Sequence, residues 1–192
     1  TFLTMARTVN ITLPKISDLV LQVKLNGEWQ TVEALVSNLG PSMQIGYDRA
    51  VDKFSRSLLS IVKKSLTLGI PPVGGGVTWQ PLSQATIERY GQHPIYNLTG
   101  LYSRSVGLYR YKSRVLIGLP IGIRRSSQKK LTLNQLAKML ESGSSDGRIP
   151  PRPVWAPSLK AVGGKNKLKQ LILTEIRREL QKYGVRPNQV KW

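Results

Sequence analysis

Side chains with the types and spacing needed for chemistry are few in this 192-residue chain. Asp48 and Asp52 stand one helical turn apart, and paired carboxylates of this kind can bind a divalent metal ion. They also suit the start of a helix, where negative charge is favourable, and that is the interpretation we prefer. His93 is the only histidine and precedes Pro94, which excludes a multi-histidine metal site and leaves one imidazole as a base for any nucleophile.

A second carboxylate pair, Glu175 and Glu179, has the same spacing, but Arg178 and Lys182 lie nearby as ion-pair partners. The triple glycine at 74–76 lacks the lysine and the helix that follow in a phosphate-binding loop. Cysteine is absent, which excludes disulfides and thiolate metal sites. We therefore expect no catalytic residues, no metal site and no cofactor, and an enzyme acting on nucleic acid is the least favoured function.

Net charge is the strongest signal in the composition. The chain has 29 basic and 10 acidic residues, a net charge of +19 and a pI of about 10.6. This balance indicates a polyanionic partner, which would be nucleic acid, an anionic membrane surface or an acidic protein face. The longest apolar run, Val115 to Ile123, is far shorter than the roughly 20 residues that span a bilayer. The first seven residues lack the apolar stretch of a secretory signal, so we expect cytosolic synthesis and no membrane partner.

Basic residues are concentrated where acidic residues are missing, between Glu88 and Glu141. A second basic cluster runs from Lys160 to Lys169. The ordinary explanation of a charge run is a solvated face, but an acid-free stretch of this length favours contact with a polyanion. The residues that we predict to face a polyanion or a DNA channel are Arg104, Arg110, Lys112, Arg114, Arg124, Arg125, Lys129 and Lys130.

Three tyrosines, Tyr102, Tyr109 and Tyr111, alternate with these basic residues. Such interleaving resembles a stacking platform for single-stranded nucleic acid. Tyrosines in a strand more commonly pack on the sheet, and we favour that interpretation. The charge pattern therefore indicates proximity to a polyanion without indicating that a base sequence is read.

Apolar periodicity in the first part of the chain predicts one strand and two helices. Alternation over residues 18–25 predicts a strand. Helical spacing over 28–38 predicts a short helix that ends at Gly40-Pro41. A 4-3-4-3 apolar pattern then predicts the longest helix, from Ser42 to Gly69.

The later elements are predicted to be short, apart from the last helix. The hairpin strands are expected on either side of a tight turn, and Gly184 is expected to end the last helix. In chain order these elements are a helix capped by Ser83 and reaching Arg89, a helix or turn at 98–105, strands at 106–112 and 114–119, a helix at 134–141 and the last helix at 166–183.

These elements predict an α+β fold in which a small antiparallel sheet packs with two long helices. We expect an N-terminal arm at 1–14, a single domain at 15–183 and a C-terminal tail at 184–192. Flexible loops are expected within the domain at 69–79 and 120–131.

Three short segments that combine proline or glycine with a bulky apolar residue follow one another between residues 79 and 155, and we call them the punctuated segments. They are Trp79-Gln80-Pro81-Leu82-Ser83, then Leu98-Thr99-Gly100-Leu101, then the proline-rich segment from Gly147 to Trp155. Proline fixes φ and removes a donor, glycine permits positive φ, and a bulky apolar residue anchors each turn. The distinctive residues of this chain set the backbone conformation and include no reactive groups. They therefore favour a structural protein over an enzyme.

In this order, the segments resemble the tailed-bacteriophage virion morphogenesis family, whose members act as tail-completion or neck proteins. The likeness covers roughly residues 15–183 and follows a Trp-Pro-Leu-Ser turn, a Leu-Thr-Gly-Leu element with a hairpin, and an Ile-Pro-x-Arg-Pro segment before the last helix. The resemblance implies a structural virion protein of the neck or tail end, assembled in the host cytoplasm, that forms a ring around the DNA channel.

The resemblance also implies the partners. They would be copies of the chain in a hexameric or dodecameric ring, neighbouring neck, tail-terminator or tail-tube proteins, and double-stranded DNA that passes without sequence preference. Arginine and tryptophan are enriched at interface centres, although a place in the local core explains Trp155 equally well. The predicted interface residues are Trp79, Leu98, Leu101, Arg148, Pro150, Arg152 and Trp155.

A sequence-independent nucleic-acid-binding protein, of the ribosome- or nucleoid-associated type, is the alternative function. Such a protein would be a monomer or small oligomer with strongly salt-dependent affinity. An acidic neighbouring protein, in place of DNA, is the alternative partner for the basic residues.

Overall fold

The computed structural model describes residues 22–23, 29–95, 99–111, 114–120, 132–183 and 190–191. Six helices and four short strands occur in this part of the chain, which confirms the predicted α+β class. In chain order they are β1 (Gln22–Val23), α1 (Trp29–Leu68), α2 (Gln84–Tyr90), α3 (Leu101–Ser105), β2 (Gly107–Tyr111), β3 (Arg114–Gly118), α4 (Leu133–Ser142), α5 (Trp155–Ala161), α6 (Gly164–Gln181) and β4 (Val190–Lys191).

Helix α1 is one helix of 40 residues, so the predicted break at Gly40-Pro41 is wrong. Pro41 has no N–H for the carbonyl of Ser37 and so removes one helical hydrogen bond. The exposed proline ring lies on the side of the helix opposite the buried row that includes Met43 and Ala50. The chain therefore tolerates the lost bond without disturbing the packed face.

The described chain forms two compact units. The first unit, residues 55–162, contains the second part of α1, the helices α2 to α5 and the hairpin β2–β3. Its hairpin is antiparallel, with Gly107 opposite Gly118 and Tyr111 opposite Arg114. The predicted hairpin is thus confirmed.

Side-chain caps explain where α2 and α4 of the first unit begin. The Ser83 hydroxyl accepts from the Thr86 N–H at the start of α2, as the sequence predicts. At α4, Thr132 and Gln135 form a reciprocal capping box, which satisfies two backbone donors of the first turn. Helix α5 follows the proline-rich segment directly, and the sequence analysis did not predict it.

The second unit comprises residues 22–54 and 163–191, and its main elements are the first part of α1 and α6. The two helix backbones approach closely at Gly46, where a Cβ would lie 2.7 Å from the Cα of Ile176. Four buried aliphatic residues of α6 contribute to the core of this unit: Leu168, Ile172, Ile176 and Leu180. The predicted last helix is confirmed, although it spans 164–181.

Strands β1 and β4 pair antiparallel, with Val23 opposite Val190. The expected tail at 184–192 therefore includes a short strand. The expected arm at 1–14 and most of the expected loop at 120–131 lie outside the described residues. The proposed boundaries of a single domain at 15–183 stay a prediction. No helix of the described chain has the length and apolar character to cross a membrane.

Candidate functional site

The first and third punctuated segments are joined in the first unit by two side chains. The Trp79 indole N–H donates to the Pro153 carbonyl oxygen at 3.1 Å. The Arg152 guanidinium donates to the carbonyl oxygens of Gln80 (3.2 Å) and Pro81 (3.1 Å). Segments more than 70 residues apart in sequence are therefore held together by hydrogen bonds to backbone carbonyls.

Glu141, near the end of α4, holds the other end of the proline-rich segment. Its carboxylate accepts from the Val154 N–H at 2.9 Å and from the Trp155 N–H at 3.2 Å. These are orphan donors at the start of α5, where a negative charge is also favoured by the helix dipole. The Arg152 N–H completes the connection by donating to the Leu140 carbonyl at 2.7 Å. We call Trp79, Glu141, Arg152 and their backbone partners the arginine junction.

Both charged groups of the arginine junction are buried, Arg152 at 5% and Glu141 at 7% exposure. A buried charge without partners would be very costly, and here backbone groups supply the partners. The electrostatic effect extends to Tyr102, whose pKa is raised by burial first and then by the negative charge of Glu141. Removal of Glu141 would leave the N–H groups of the buried residues Val154 and Trp155 without this acceptor, and removal of Arg152 would take its donor away from the carbonyls of the exposed residues Gln80 and Pro81.

The second punctuated segment meets the other two at a groove beside the arginine junction. The groove has a volume of about 540 Å³ and lies entirely within the first unit. Residues from all three segments line it, among them Pro81, Leu101 and Arg152. Helices α2 and α4 and the proline-rich segment supply further lining residues, including Thr86, Tyr90, Leu136, Leu140, Ile149 and Pro150.

Three arginines border this groove. Arg148 lines it, and its side chain is 87% exposed and paired with Asp146 at 3.4 Å. Arg104 donates to the carbonyl of Thr99, a lining residue, at 2.9 Å. Arg89 lies over the ring of Tyr90, 5.9 Å from its centroid. The rim of the groove is therefore positively charged.

The structure describes the side chains of two of the eight residues predicted to face a polyanion. Arg104 is exposed on α3, and Arg110 is exposed on β2. Arg114 is the first residue of β3. The remaining five, Lys112, Arg124, Arg125, Lys129 and Lys130, lie outside the described residues.

The predicted interface residues that the structure describes differ in exposure. Leu101, Arg148 and Pro150 line the groove and are at least partly exposed. Arg152 and Trp155 are buried, as the local-core interpretation of Trp155 expects, and Arg152 bonds to the chain's own backbone. The half-buried Trp79 belongs to the arginine junction, and Leu98 lies outside the described residues.

Carboxylates in the second unit form ion pairs. Glu179 pairs with Arg49 and, at 2.6 Å, with Lys182, which was a predicted partner. Glu175 pairs with Lys53. Spacing along α6 found Lys182, but residues of α1 lie more than 100 positions away and gave no comparable signal. We call these five residues the helix-pair cluster.

The structure also places the remaining candidate residues for chemistry, the pair Asp48 and Asp52 and the single histidine His93. Asp48 and Asp52 lie near the middle of α1, because that helix begins at Trp29, so their predicted place near a helix start is wrong. In the part of the chain that is described, no three acidic or histidine side chains are grouped to hold a metal ion. His93 is half-buried, and its Nδ1 donates to the Pro94 carbonyl at 2.9 Å.

The sequence analysis missed Glu141. A signal was present, because Glu141 continues the row of Leu133 and Ala137 at four-residue spacing on the buried face of α4. A carboxylate on such a face requires a partner, and the nearest free donors are at the start of the following helix.

Hydrogen bonds to backbone hold the charged groups of the arginine junction in place, so the geometry of the junction supports the path of the chain. The arginine junction fixes three chain segments, and the groove offers an apolar surface with a basic rim. In comparisons with known proteins, no family model, no curated protein and no solved structure matches this chain significantly.

Proposed function

We propose that this protein is a structural component of the neck or tail end of a tailed bacteriophage, where it forms a ring around the DNA channel. The arginine junction is the observation that carries the proposal. Two of the three segments whose order resembles the virion morphogenesis family are joined by Arg152 and Trp79, and the third lines the groove beside them. These residues fix the path of the backbone and meet in one place, as is expected of a structural protein.

The distribution of charge supports a position next to DNA. Arg104 and Arg110 are exposed in the acid-free interval, and Lys138 is exposed on α4. Exposed cations attract phosphates without reading bases, as a channel for passing DNA requires. The proposed partners are other copies of the chain, neighbouring neck or tail proteins, and double-stranded DNA.

Absolute mass in solution tests the proposal directly. The purified chain would be measured by light scattering after gel filtration in high salt, which removes bound nucleic acid. We expect a discrete hexamer or dodecamer, because a heterologous interface that closes gives one ring size. A monomer over a wide concentration range, also when mixed with isolated tails, would contradict the ring.

One observation favours the alternative of a sequence-independent nucleic-acid-binding protein. Lys165, Lys167 and Lys169 are all exposed in the first two turns of α6. The alternative predicts a monomer whose affinity falls with salt, with a slope in log K near −0.9 per phosphate neutralised. A duplex titration of the Lys167→Glu and Lys169→Glu variants, with Arg178→Glu as a matched exposed control on α6, distinguishes a localised binding face from diffuse attraction.

A further inference from the structure

We propose that the groove of the first unit binds a short segment of a partner protein that carries apolar anchor residues flanked by carboxylates. This inference goes beyond the ring function and does not require it, because it rests on the floor, the rim and the walls of the groove alone.

The floor of the groove is apolar. Leu133, Leu136 and Leu140 recur at three- and four-residue spacing on α4, so they form one row along the helix. Leu136 and Leu140 are only partly buried, as are Leu101 and Ile149 on the other sides. A volume of about 540 Å³ falls within the range of sites that enclose small ligands or a few large side chains.

The rim selects for negative charge. Arg89, Arg104 and Arg148 are each fixed to the groove, either as a lining residue or through contact with one. No lining residue among the described side chains is acidic. Glu88 on α2 stands about half a helical turn from Thr86 and Tyr90, which do line the groove, and so lies on the opposite side of that helix.

The carboxylate of Asp146 contacts the rim. It pairs with Arg148 at 3.4 Å, and both side chains are more than half exposed. Exposed pairs of this kind are weak, so a carboxylate of an incoming segment can replace Asp146 as the partner of Arg148. The rim thus keeps its capacity for an acidic ligand.

Charge complementarity also argues against a second copy as the occupant. The chain carries 29 basic and only 10 acidic residues. Its first 14 residues, which are apolar enough to serve as an anchor, contain Arg7 and no acidic residue. Placing that segment on a basic rim would bring like charges together, whereas an acidic segment of another protein would be attracted.

The walls of the groove are set before any ligand binds. Arg152 fixes Gln80 and Pro81 on one side, and the Ser144 N–H donates to the Ile149 carbonyl at 2.9 Å on another. Prolines at 150 and 151 restrict the backbone between these points. A preformed groove loses little conformational freedom on binding, which favours recognition of a short segment.

A selection experiment identifies the occupant. A displayed library of random peptides of about 12 residues would be selected on the full-length chain at about 150 mM salt. Counter-selection on the Leu136→Glu variant removes peptides that bind elsewhere on this basic protein. We expect enriched sequences in which Asp or Glu flanks Leu, Ile, Phe or Trp.

Affinities of one enriched peptide then test each part of the groove by fluorescence anisotropy. Leu136→Glu is expected to weaken binding at least about tenfold, since it removes a contact on the floor of the groove. Arg148→Glu is expected to weaken it about fivefold, since it brings a negative charge on the rim next to the carboxylates of the peptide. Leu136→Ala, a milder change, is expected to weaken it less while leaving the fold intact. Lys64→Glu has the same charge change as Arg148→Glu at an exposed position of α1 outside the groove, and should change the affinity less than about twofold.

Three outcomes would overturn the proposal. The first is a selection that yields no peptide sensitive to Leu136→Glu. The second is a failure of the predicted charge recognition. Enrichment without acidic residues would mean that the rim does not recognise carboxylates, and equal loss of affinity in Arg148→Glu and Lys64→Glu would mean diffuse charge attraction. The third is tighter binding of a synthetic peptide of residues 1–14 than of any acidic peptide, which would make another copy of the chain the occupant.

Discussion

The arginine junction and the helix-pair cluster bury charged side chains to a similar degree but satisfy them differently. In the first unit, Arg152 and Glu141 bond to backbone carbonyls and N–H groups. In the second unit, Glu175 and Glu179 bond to the cationic ends of long side chains. All four charged residues have at most 7% exposure.

The partners determine what happens when one member is lost. The N–H groups of Val154 and Trp155 belong to buried residues of a folded segment, so without Glu141 they stay buried and unsatisfied. The side chains of Arg49, Lys53 and Lys182 are 47–55% exposed and can regain solvent. Burial of a charge is therefore a poor guide to the effect of removing it, and the mobility of its partner is a better one.

Arg152→Ala should have the largest effect. It removes two hydrogen bonds from a charged donor and leaves a cavity in place of a side chain with 5% exposure, so we expect a loss of about 3 kcal/mol in the free energy of unfolding of the first unit. Urea denaturation measures the loss. Hydrogen exchange should show increased opening of residues 79–83 and 147–155.

Arg148→Ala is the matched control for this prediction. It removes the same side chain at an 87% exposed position four residues away and should change stability by less than about 0.5 kcal/mol. If Arg152→Ala proved as mild as Arg148→Ala, backbone partners would not confer the rigidity that the comparison assigns to them.

The next largest difference is expected between two conservative changes, Glu141→Gln and Glu179→Gln. An amide oxygen at the Oε1 position can still accept from the N–H groups of Val154 and Trp155, but the NH₂ group then faces the Val154 N–H in place of Oε2, so we expect a loss of about 2 kcal/mol. At 179 the amide oxygen still accepts from Arg49 or Lys182, and the other cation returns to solvent, so we expect about 1 kcal/mol or less.

Salt sharpens this second test. The stability difference caused by Glu179→Gln should shrink as salt rises, because its partners are half exposed and screened. The effect of Glu141→Gln should be nearly independent of salt, since its partners are buried dipoles. Denaturation curves for both variants at low and high salt give the comparison, and equal salt dependence would remove the distinction between the two regions.

Much of the local structure could be predicted from sequence because its causes are local. Ser83 caps the helix that follows it, and alternating residues on both sides of a tight turn form the β2–β3 hairpin. The continuity of α1 through Pro41 could not be predicted in the same way. A proline usually ends a helix, and only its position opposite the buried row makes the exception understandable.

The candidate site was predicted in parts, without the relation between them. The three punctuated segments were recognised as places where the backbone turns. Nothing in the local sequence indicates that Arg152 bonds to the carbonyls of Gln80 and Pro81. Such pairs join backbone carbonyls, which every residue possesses, so the sequence carries no complementary signal. Ion pairs do have such a signal, because the two partners have opposite charges. Of the partners of Glu175 and Glu179, only Lys182 was close enough in sequence to be paired correctly.

Two buried tyrosines extend the comparison to alkaline pH. Burial raises the pKa of Tyr102 in the first unit and, to a smaller extent, that of Tyr47 in the second, from the usual 10.0. The unfolded chain releases these protons first, so the stability that each neutral hydroxyl contributes is fully present below pH 10.0 and is lost as the pH rises above it. The slope is about 1.4 kcal/mol per pH unit for each proton.

Tyr102→Phe should therefore flatten the alkaline loss of stability more than Tyr47→Phe does. Urea denaturation followed by near-ultraviolet circular dichroism, between about pH 9 and pH 11, measures both slopes. Lysine ionisation contributes equally to the parent and the variants and cancels in the difference. Identical slopes for Tyr102→Phe and the parent would mean that Glu141 and burial do not keep this hydroxyl neutral.

The smallest effect is expected at Asp146, the exposed counterpart of Glu141. The Ser144 hydroxyl and then the Arg148 backbone N–H lower the pKa of Asp146. Because the folded pKa lies below the usual 3.8, the contribution of this carboxylate is present above that value and is lost as the pH falls through the folded pKa. Asp146→Asn should leave the unfolding midpoint at neutral pH nearly unchanged, since the carboxylate is more than half exposed and screened by solvent.

The effect of Asp146→Asn should instead be local. Hydrogen exchange at the Arg148 amide should increase, because an asparagine oxygen is a weaker acceptor than a carboxylate, while residues of the arginine junction stay protected. If opening spread from Asp146 to Arg152, the loop at 143–149 and the arginine junction would form one cooperative element. Removal of an exposed carboxylate would then open the arginine junction as removal of a buried one does. Exposure of the partner would no longer explain the difference between the two units.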